Sequence, residues 1–292
     1  MATISMDLVK ELREKTQVGM MDCKKALEQA GGDMEKAIEI LRKKGTSVAA
    51  KRADNETNNG RVESWVSSDY KTGALVAVAC ETDFSANTED MFGFASHVAQ
   101  VAAQNDIVDA EMLLQQQSLK VSNLTIKDHL DEIIAKIAES IKVSKAAVFK
   151  ASANGLVNVY IHPGSSIGVM VELEGDKAIA QNEEIRAAAR DVCMQAAVTK
   201  PLAVSPEGID SALIEKERAI ATEQLQGSNK PANIIEKIVE GKLNKFYEDV
   251  CLLNQLFIKN DKLTVAQFLK EVGTKHGVAL TVKRFVRFGI GR

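Results

Sequence analysis

The sequence predicts an α+β protein: a small head of three helices, then two related lobes of hairpin plus helix, with a helical hairpin inserted in the second. Three observations predict it. Residues 62–104 and 157–199 align without a gap at an offset of 95 positions, so that Val62 meets Val157, Trp65 meets Tyr160, Val66 meets Ile161, Gly73 meets Gly168, Asn87 meets Asn182 and Glu89 meets Glu184. Each copy runs from alternating apolar residues through a turn into apolar residues at helical spacing, the pattern of a β-hairpin followed by a helix. The first 54 residues carry helical stripes only, and two further stripes within 209–247 are separated by four residues.

The head is built from three such stripes. Ser5 is placed to cap a helix in which Leu8, Val9 and Leu12 share a face. Thr16-Gln17-Val18-Gly19 makes a turn. Met20, Cys23, Leu27 and Ala30 then form the stripe of a second helix, which Gly31-Gly32 stops. Asp33 caps a third, with Met34, Ala37, Ile38 and Leu41 inward and Gly45 at its end. From Thr46 to Gly60, polar residues without periodicity predict a linker. In the first unit, Val62, Ser64, Val66 and Leu75-Val76-Ala77-Val78 flank turn chemistry over 68–73. Phe92, Phe94, Ala95, Val98, Val101 and Ala102 supply one face of the helix that follows. Residues 107–142 read as helical, with Ile133, Ile134, Ile137 and Ile141 as the apolar stripe.

The second unit starts near Ala146, with strands around 157–161 and 167–173 and a helix over 178–199. Residues 209–226 and 231–247 form two helices joined by Gly227-Ser228-Asn229-Lys230, with Pro231 at a first helical position. Ile214, Ile220 and Leu225 then face Ile234, Ile238, Val239 and Leu243. A short helix near 265–272 and a strand near 278–288 close the chain. Domain boundaries accordingly fall at 1–54, 55–144 and 145–292, the helical hairpin occupying about 207–250.

Composition narrows the function. No apolar run approaches the roughly 18 residues of a membrane span, and Met1-Ala2-Thr3 leads into an amphipathic segment rather than a secretory signal. The four cysteines, at 23, 80, 193 and 251, have no disulfide-framework or metal spacing and read as reduced, packed thiols of a cytoplasmic protein. A net charge of −3 gives no reason to expect a general nucleic-acid binder. The histidines, at 97, 129, 162 and 276, pair with no nucleophile signature; neither a phosphate-cradling glycine loop nor zinc spacing is present. The expectation is a chain that acts by binding, without catalysis or a cofactor of its own.

A duplicated scaffold shows what packing alone requires, so residues found in one copy only are candidates for function. The first copy alone carries Glu81-Thr82-Asp83-Phe84 at its strand-to-helix junction; Asp83 meets Ala178 and Phe84 meets Ile179. With aromatics at 4% of the chain, one on a loop is rarely there by accident. Two roles stand from the residues alone: Phe84 in the chain's own core with Asp83 capping the next helix, or Phe84 inserted into a partner. His162, whose counterpart is Ser67, sits beside Pro163-Gly164 either as a turn residue or as a partner contact.

Two signatures carry a resemblance. Residues 8–16, Leu-Val-Lys-Glu-Leu-Arg-Glu-Lys-Thr, followed by Gly19-Met20-Met21-Asp22-Cys23-Lys24-Lys25-Ala26-Leu27, closely resemble the N-terminal signature of the elongation factor Ts family. Thr82-Asp83-Phe84 resembles that family's second signature. Tyr160-Ile161-His162-Pro163-Gly164, Ile167-Gly168-Val169 and Lys283-Arg284-Phe285-Val286-Arg287-Phe288 agree further, so the resemblance runs from about residue 5 to 290. It implies a non-catalytic guanine nucleotide exchange factor that binds elongation factor Tu, GDP-bound and nucleotide-free, and promotes GDP release by displacing Mg²⁺.

The same resemblance implies a head similar to a ubiquitin-associated (UBA-like) domain that docks on the GTPase through Arg13, Met20 and Met21. Met20 and Met21 differ by about 100° around a helix, so both cannot face one core; Met21 is the surface candidate, while Met20 stands between packing and binding. The exchange loop is implied to be Thr82, Asp83, Phe84 and Ser85; His162 stands as a candidate partner contact from the duplication alone. Ser85 stands where the family usually has Val, which shortens the expected apolar tip by one residue. Gln17-Val18 replaces a Gly-Ala pair, and Leu256 replaces a Pro. A homodimer through the helical hairpin, as in some relatives, is a weaker implication. The alternative reading is an RNA- or ribosome-binding protein, motivated by Lys43-Lys44, Lys51-Arg52 and the basic C-terminal strand.

Overall fold

The computed structural model describes residues 4–119, 124–225 and 231–291. The head is three helices, α1 (Met6–Thr16), α2 (Met20–Gln29) and α3 (Met34–Lys51). Ser5 caps α1 by accepting from the Leu8 N–H at 3.2 Å, and Asp33 caps α3 by accepting from Lys36 at 3.0 Å. Gly31 (φ 64°) closes α2 in a left-handed turn in which the Gly32 N–H returns 2.9 Å to the Leu27 carbonyl. Val9, Leu12, Val18, Cys23, Ala26, Leu27, Ala37 and Leu41 form the buried core of this head.

Gly45 does not end α3, which runs on to Lys51 through part of the expected linker. Its role is spatial. A Cβ at Gly45 would lie 2.2 Å from the Asp131 carbonyl of α7 (Ile126–Ile137), so the missing side chain lets α3 cross that helix.

The first lobe comprises β1 (Asn59–Val66), β2 (Thr72–Cys80), α4 (Asp83–Ala86), α5 (Glu89–Asn105), α6 (Ala110–Leu114), α7 and β3 (Ile141–Lys150). The single helical stretch expected over 107–142 is thus α6, α7 and the start of a strand. Residues 120–123 of that stretch lie outside the described residues. β3 pairs antiparallel with β2 and gives the sheet order β1-β2-β3, so this sheet continues through the boundary that the sequence suggests at 144/145. Phe94, Ala95, Val98, Val101 and Ala102 are buried as expected, whereas Phe92 is half exposed.

The second lobe repeats the scheme with β4 (Gly155–Ile161), β5 (Ile167–Gly175) and α8 (Glu183–Thr199). After α8 come α9 (Ser211–Glu223), α10 (Ala232–Val250), the short pair β6 (Leu256–Phe257) and β7 (Asn260–Thr264), α11 (Val265–His276) and β8 (Leu280–Gly289). β8 pairs with β5 as β3 pairs with β2, and the two ladders shift register at corresponding places, Ala77/Val78 and Glu172/Leu173. The 227–230 connection lies outside the described residues. Pro231 caps α10 rather than opening it. The seam of the α9–α10 hairpin is Ala221, Val239 and Leu243 with Ile214, Leu225 and Ile235; Ile220 and Ile234, expected inside, are exposed.

The two sheets meet across a layer of Val62, Leu75, Ala77, Phe149, Val157, Met170 and Phe288. A Cβ at Gly73 would lie 2.6 Å from Val157, and one at Gly168 would lie 2.5 Å from Val62. The contacts are reciprocal between equivalent positions. So are two hydrogen bonds, Val62 N–H to Ser165 O (2.6 Å) and Val157 N–H to Tyr70 O (2.8 Å). Gly168→Ala should therefore destabilise the chain by overpacking, by about 1–3 kcal/mol in urea unfolding. Adding Val62→Ala should recover part of that loss, because the closest clash is with the Val62 side chain, ahead of Ile161 and Leu75 at 2.9 Å.

Candidate functional site

The residues that end β2 build a rigid corner. Glu81 accepts from Arg52 (2.9 and 3.0 Å), from Asn55 (3.1 Å) and from the Ser140 N–H (2.6 Å). Its carboxyl is held below its ordinary value near 4.5, first by the Ser140 N–H and then by Arg52 and Asn55. The Glu81 carbonyl accepts from Asn59 at 2.7 Å. Thr82 then caps α4 through the Ser85 N–H at 3.2 Å, while Glu139 receives both the Thr82 N–H (3.1 Å) and hydroxyl (2.8 Å). Cys80 donates to the Thr82 carbonyl at 3.1 Å, and Asn87 donates to the Asp83 carbonyl at 2.8 Å.

This corner turns Ser85 and Ala86 inward and Phe84 outward. Phe84 is 81% exposed, which leaves about 1.5–3 kcal/mol of burial unrealised in the free chain. Asp83 is exposed beside it. Packing of Phe84 in the chain's own core is thereby ruled out. Ser85 is 1% exposed, so it does not belong to the tip; the expected shortening of an apolar tip gives way to a buried residue inside the cap.

The second copy shows the inward alternative. Ile179, the counterpart of Phe84, is buried at 2% in the core of its lobe. It reaches that core over Gly175, where a Cβ would lie 2.7 Å from the Ile179 side chain. The first copy has Cys80, fully buried, at the place of Gly175, so the glycine over which Ile179 packs has no counterpart in the lobe that exposes Phe84. Burial and the neighbouring carboxylates of Glu139, Asp83 and Glu81 push the Cys80 thiol up to about 11, so it stays protonated at neutral pH.

His162 is exposed at the end of β4, its Nδ1 3.1 Å from the Tyr160 hydroxyl. The turn that it begins is tied to the corner through Arg61, which donates to the Ala86 carbonyl (2.9 Å) and to Ser165 Oγ (3.4 Å). The structure thus brings Asp83, Phe84 and His162 into one connected region. Arg13, Met20 and Met21 stand apart from it on the head. Arg13 and Met21 are exposed, while Met20 is half buried against the head core. Lys136 joins head to lobe, reaching Gln17 and Asp90, each at 2.5 Å.

Arg61 and Glu139 carry no signal in sequence: they act 25 and 57 positions away from the groups they hold. The basic residues that suggested RNA are largely paired. Lys43 lies 2.8 Å from Glu39, Lys44 pairs with Asp22, Arg52 with Glu81, and Lys283 and Arg284 with the buried Glu172. His97 is buried beside His129, their Nδ1 atoms 3.4 Å apart. Among the described residues no cluster of three His, Cys, Asp or Glu suits a metal, and no helix is long and apolar enough to cross a membrane.

Because its pKa is lowered on folding, Glu81 contributes stability above its unfolded value, and that contribution is lost as pH falls through the folded one. Glu81→Gln should therefore be less stable than the parent at pH 7. The difference should shrink on going to about pH 4 and below, read by urea unfolding at each pH.

Comparison with known proteins gives the family. The family model described as elongation factor TS matches residues 81–292. Elongation factor Ts of Prosthecochloris aestuarii is 42% identical over 295 residues, covering 100% of both chains. That of Nautilia profundicola is 43% identical, covering 100% of this chain and 94% of the relative. That of Clostridium botulinum strain Eklund 17B is 42% identical, covering 99% and 93%. The corner that exposes Phe84 falls inside the matched region, and the similarity spans head and both lobes: the chain belongs to the elongation factor Ts family of translation elongation factors.

Proposed function

We propose that this chain is a guanine nucleotide exchange factor that binds elongation factor Tu in its GDP form and promotes release of GDP, so that GTP can bind. The observation that carries the reading is Phe84, 81% exposed on a corner whose backbone is tied on every side. A surface aromatic held this firmly is placed for insertion into another molecule. Family membership supports the partner.

GDP is held in a GTPase by Mg²⁺ and by backbone amides around its phosphates. An apolar wedge that parts the elements carrying those amides, with the Asp83 carboxylate beside it, displaces the metal and weakens both attractions. Burying Phe84 on docking returns about 1.5–3 kcal/mol, one to two decades in the partner's equilibrium. Linkage then makes GDP and the factor weaken each other reciprocally. No covalent step is assigned to the chain. In this reading the head docks through Arg13, Met21 and the exposed part of Met20, the first lobe delivers the wedge, and His162 adds a contact from the second. Such a factor works in the cytoplasm.

The test is release of fluorescent GDP from purified elongation factor Tu. Asp83→Ala with Phe84→Ala should leave the chain folded, since both side chains are exposed, and reduce the stimulated rate at least about tenfold. A double variant that stimulates as well as its parent overturns the reading.

A further inference from the structure

Arg61 occupies a place where the duplicated scaffold needs no charge. Its counterpart, Leu156, is a fully buried core residue of the second lobe, and the counterpart of its neighbour Glu63 is Asn158. Arg61 is itself 9% exposed and Glu63 8%. Burying a guanidinium where an aliphatic side chain suffices is unfavourable unless the charge is paired and its donors are placed. Here four of the five N–H groups are: Nε and Nη2 grip Glu63 at 3.1 and 2.6 Å, Nη1 donates to the Ala86 carbonyl, and Nη2 also reaches Ser165 Oγ. The guanidinium carbon lies 5.1 Å from the centre of the Phe92 ring.

Ala86 is the last residue of α4, the helix that presents Phe84. Ser165 closes the β4–β5 turn with its N–H on the His162 carbonyl (2.9 Å), and its own carbonyl takes the Val62 N–H. Resting on the exchange reading, we infer that Arg61 is a positioning residue that locks the Phe84 corner to the His162 turn, so that wedge and second contact meet the partner as one rigid surface. Arg61 itself is too buried to touch the partner. Its effect should appear in how fast bound GDP is expelled rather than in how tightly the factor docks, because the head surface is untouched.

The informative variant copies the second lobe: Arg61→Leu with Glu63→Asn, which removes the charge pair together. The same GDP-release assay, run over a range of factor concentrations, should show a maximal rate about tenfold lower, with a half-saturating concentration changed less than about twofold. Phe84→Ala should then cost far less in this background than in the parent. Arg61→Lys, which keeps a cation beside Glu63, supplies a readout without the partner: faster amide hydrogen exchange at 83–88 and 164–166, with β2 and α5 still protected. If the Leu/Asn variant folds and keeps the parent's maximal rate, or if Arg61→Lys leaves exchange in both segments unchanged, the positioning role is refuted. If Phe84→Ala has no effect in the parent itself, the exchange reading fails instead, and this inference falls with it.

Discussion

The packing of the two sheets against each other depends on two glycines receiving two valines. Gly73 in β2 takes Val157 from the facing sheet, and Gly168 in β5 takes Val62 in return. Because the contacts are equivalent under the 95-residue offset, one arrangement of atoms is used twice about an approximate twofold axis. Each contact is fastened by a backbone hydrogen bond from the valine N–H to a turn carbonyl of the other lobe, that of Ser165 or Tyr70. Both turn residues are left-handed, at φ 53° and 59°, which aims those carbonyls outward from their own hairpins. The lobes therefore hold each other through the same segments that carry His162 on one side and lead into the Phe84 corner on the other.

Within that symmetric frame the departures have directions. Both units insert helices between the long helix and the returning strand, α6–α7 before β3 and α9–α10 with α11 before β8. In the first unit the insertion folds against α5 and α3 and supplies Glu139, which anchors Thr82. In the second unit most of α9 and the first half of α10 stand in solvent, buried only along the Ala221–Val239–Leu243 seam. The exchange of Gly175 for Cys80, and of Leu156 for Arg61, both fall in the unit that exposes its aromatic. One removes the glycine over which the inward residue of the other lobe packs, and the other bonds the far end of the helix that carries residue 84.

Much of this was legible in the sequence, where the physics is local. Alternation and turn chemistry located both hairpins, and Ser5 and Asp33 marked helix starts because a cap bonds three residues away. What escaped was long-range. Gly45 looks like a terminator, yet it is small because Asp131 of another helix lies against it; a sequence cannot tell a glycine needed for φ from one needed by a neighbour. β3 was hidden because Ile141 continues the helical spacing of Ile133, Ile134 and Ile137, and α7 ends at Ala138 (φ 61°), without the usual glycine. The duplication pointed to Phe84 and its exposure followed. The burial of Ser85 did not, since only the capping geometry of Thr82 turns it inward.

On the proposed exchange reading Phe84 is a wedge, and a wedge gains most from burial when the loop that carries it is already ordered. Had Phe84 sat on a loose loop, the energy released on its burial would first be spent ordering the loop, at about 1–2 kcal/mol for each residue fixed. Ordering only two residues would consume the gain from one phenyl ring. Here the corner from Glu81 to Asn87 is already bonded to β1, to the residues joining α7 to β3, and internally across α4, so on that reading the ring would enter with little left to lose but its own rotamers. The exposed aromatic and its buried anchors are therefore one device. On the exchange reading proposed above, the aromatic would supply the free energy of docking, and Glu81, Thr82, Glu139 and Arg61, which hold the corner, would keep it from being absorbed by the loop.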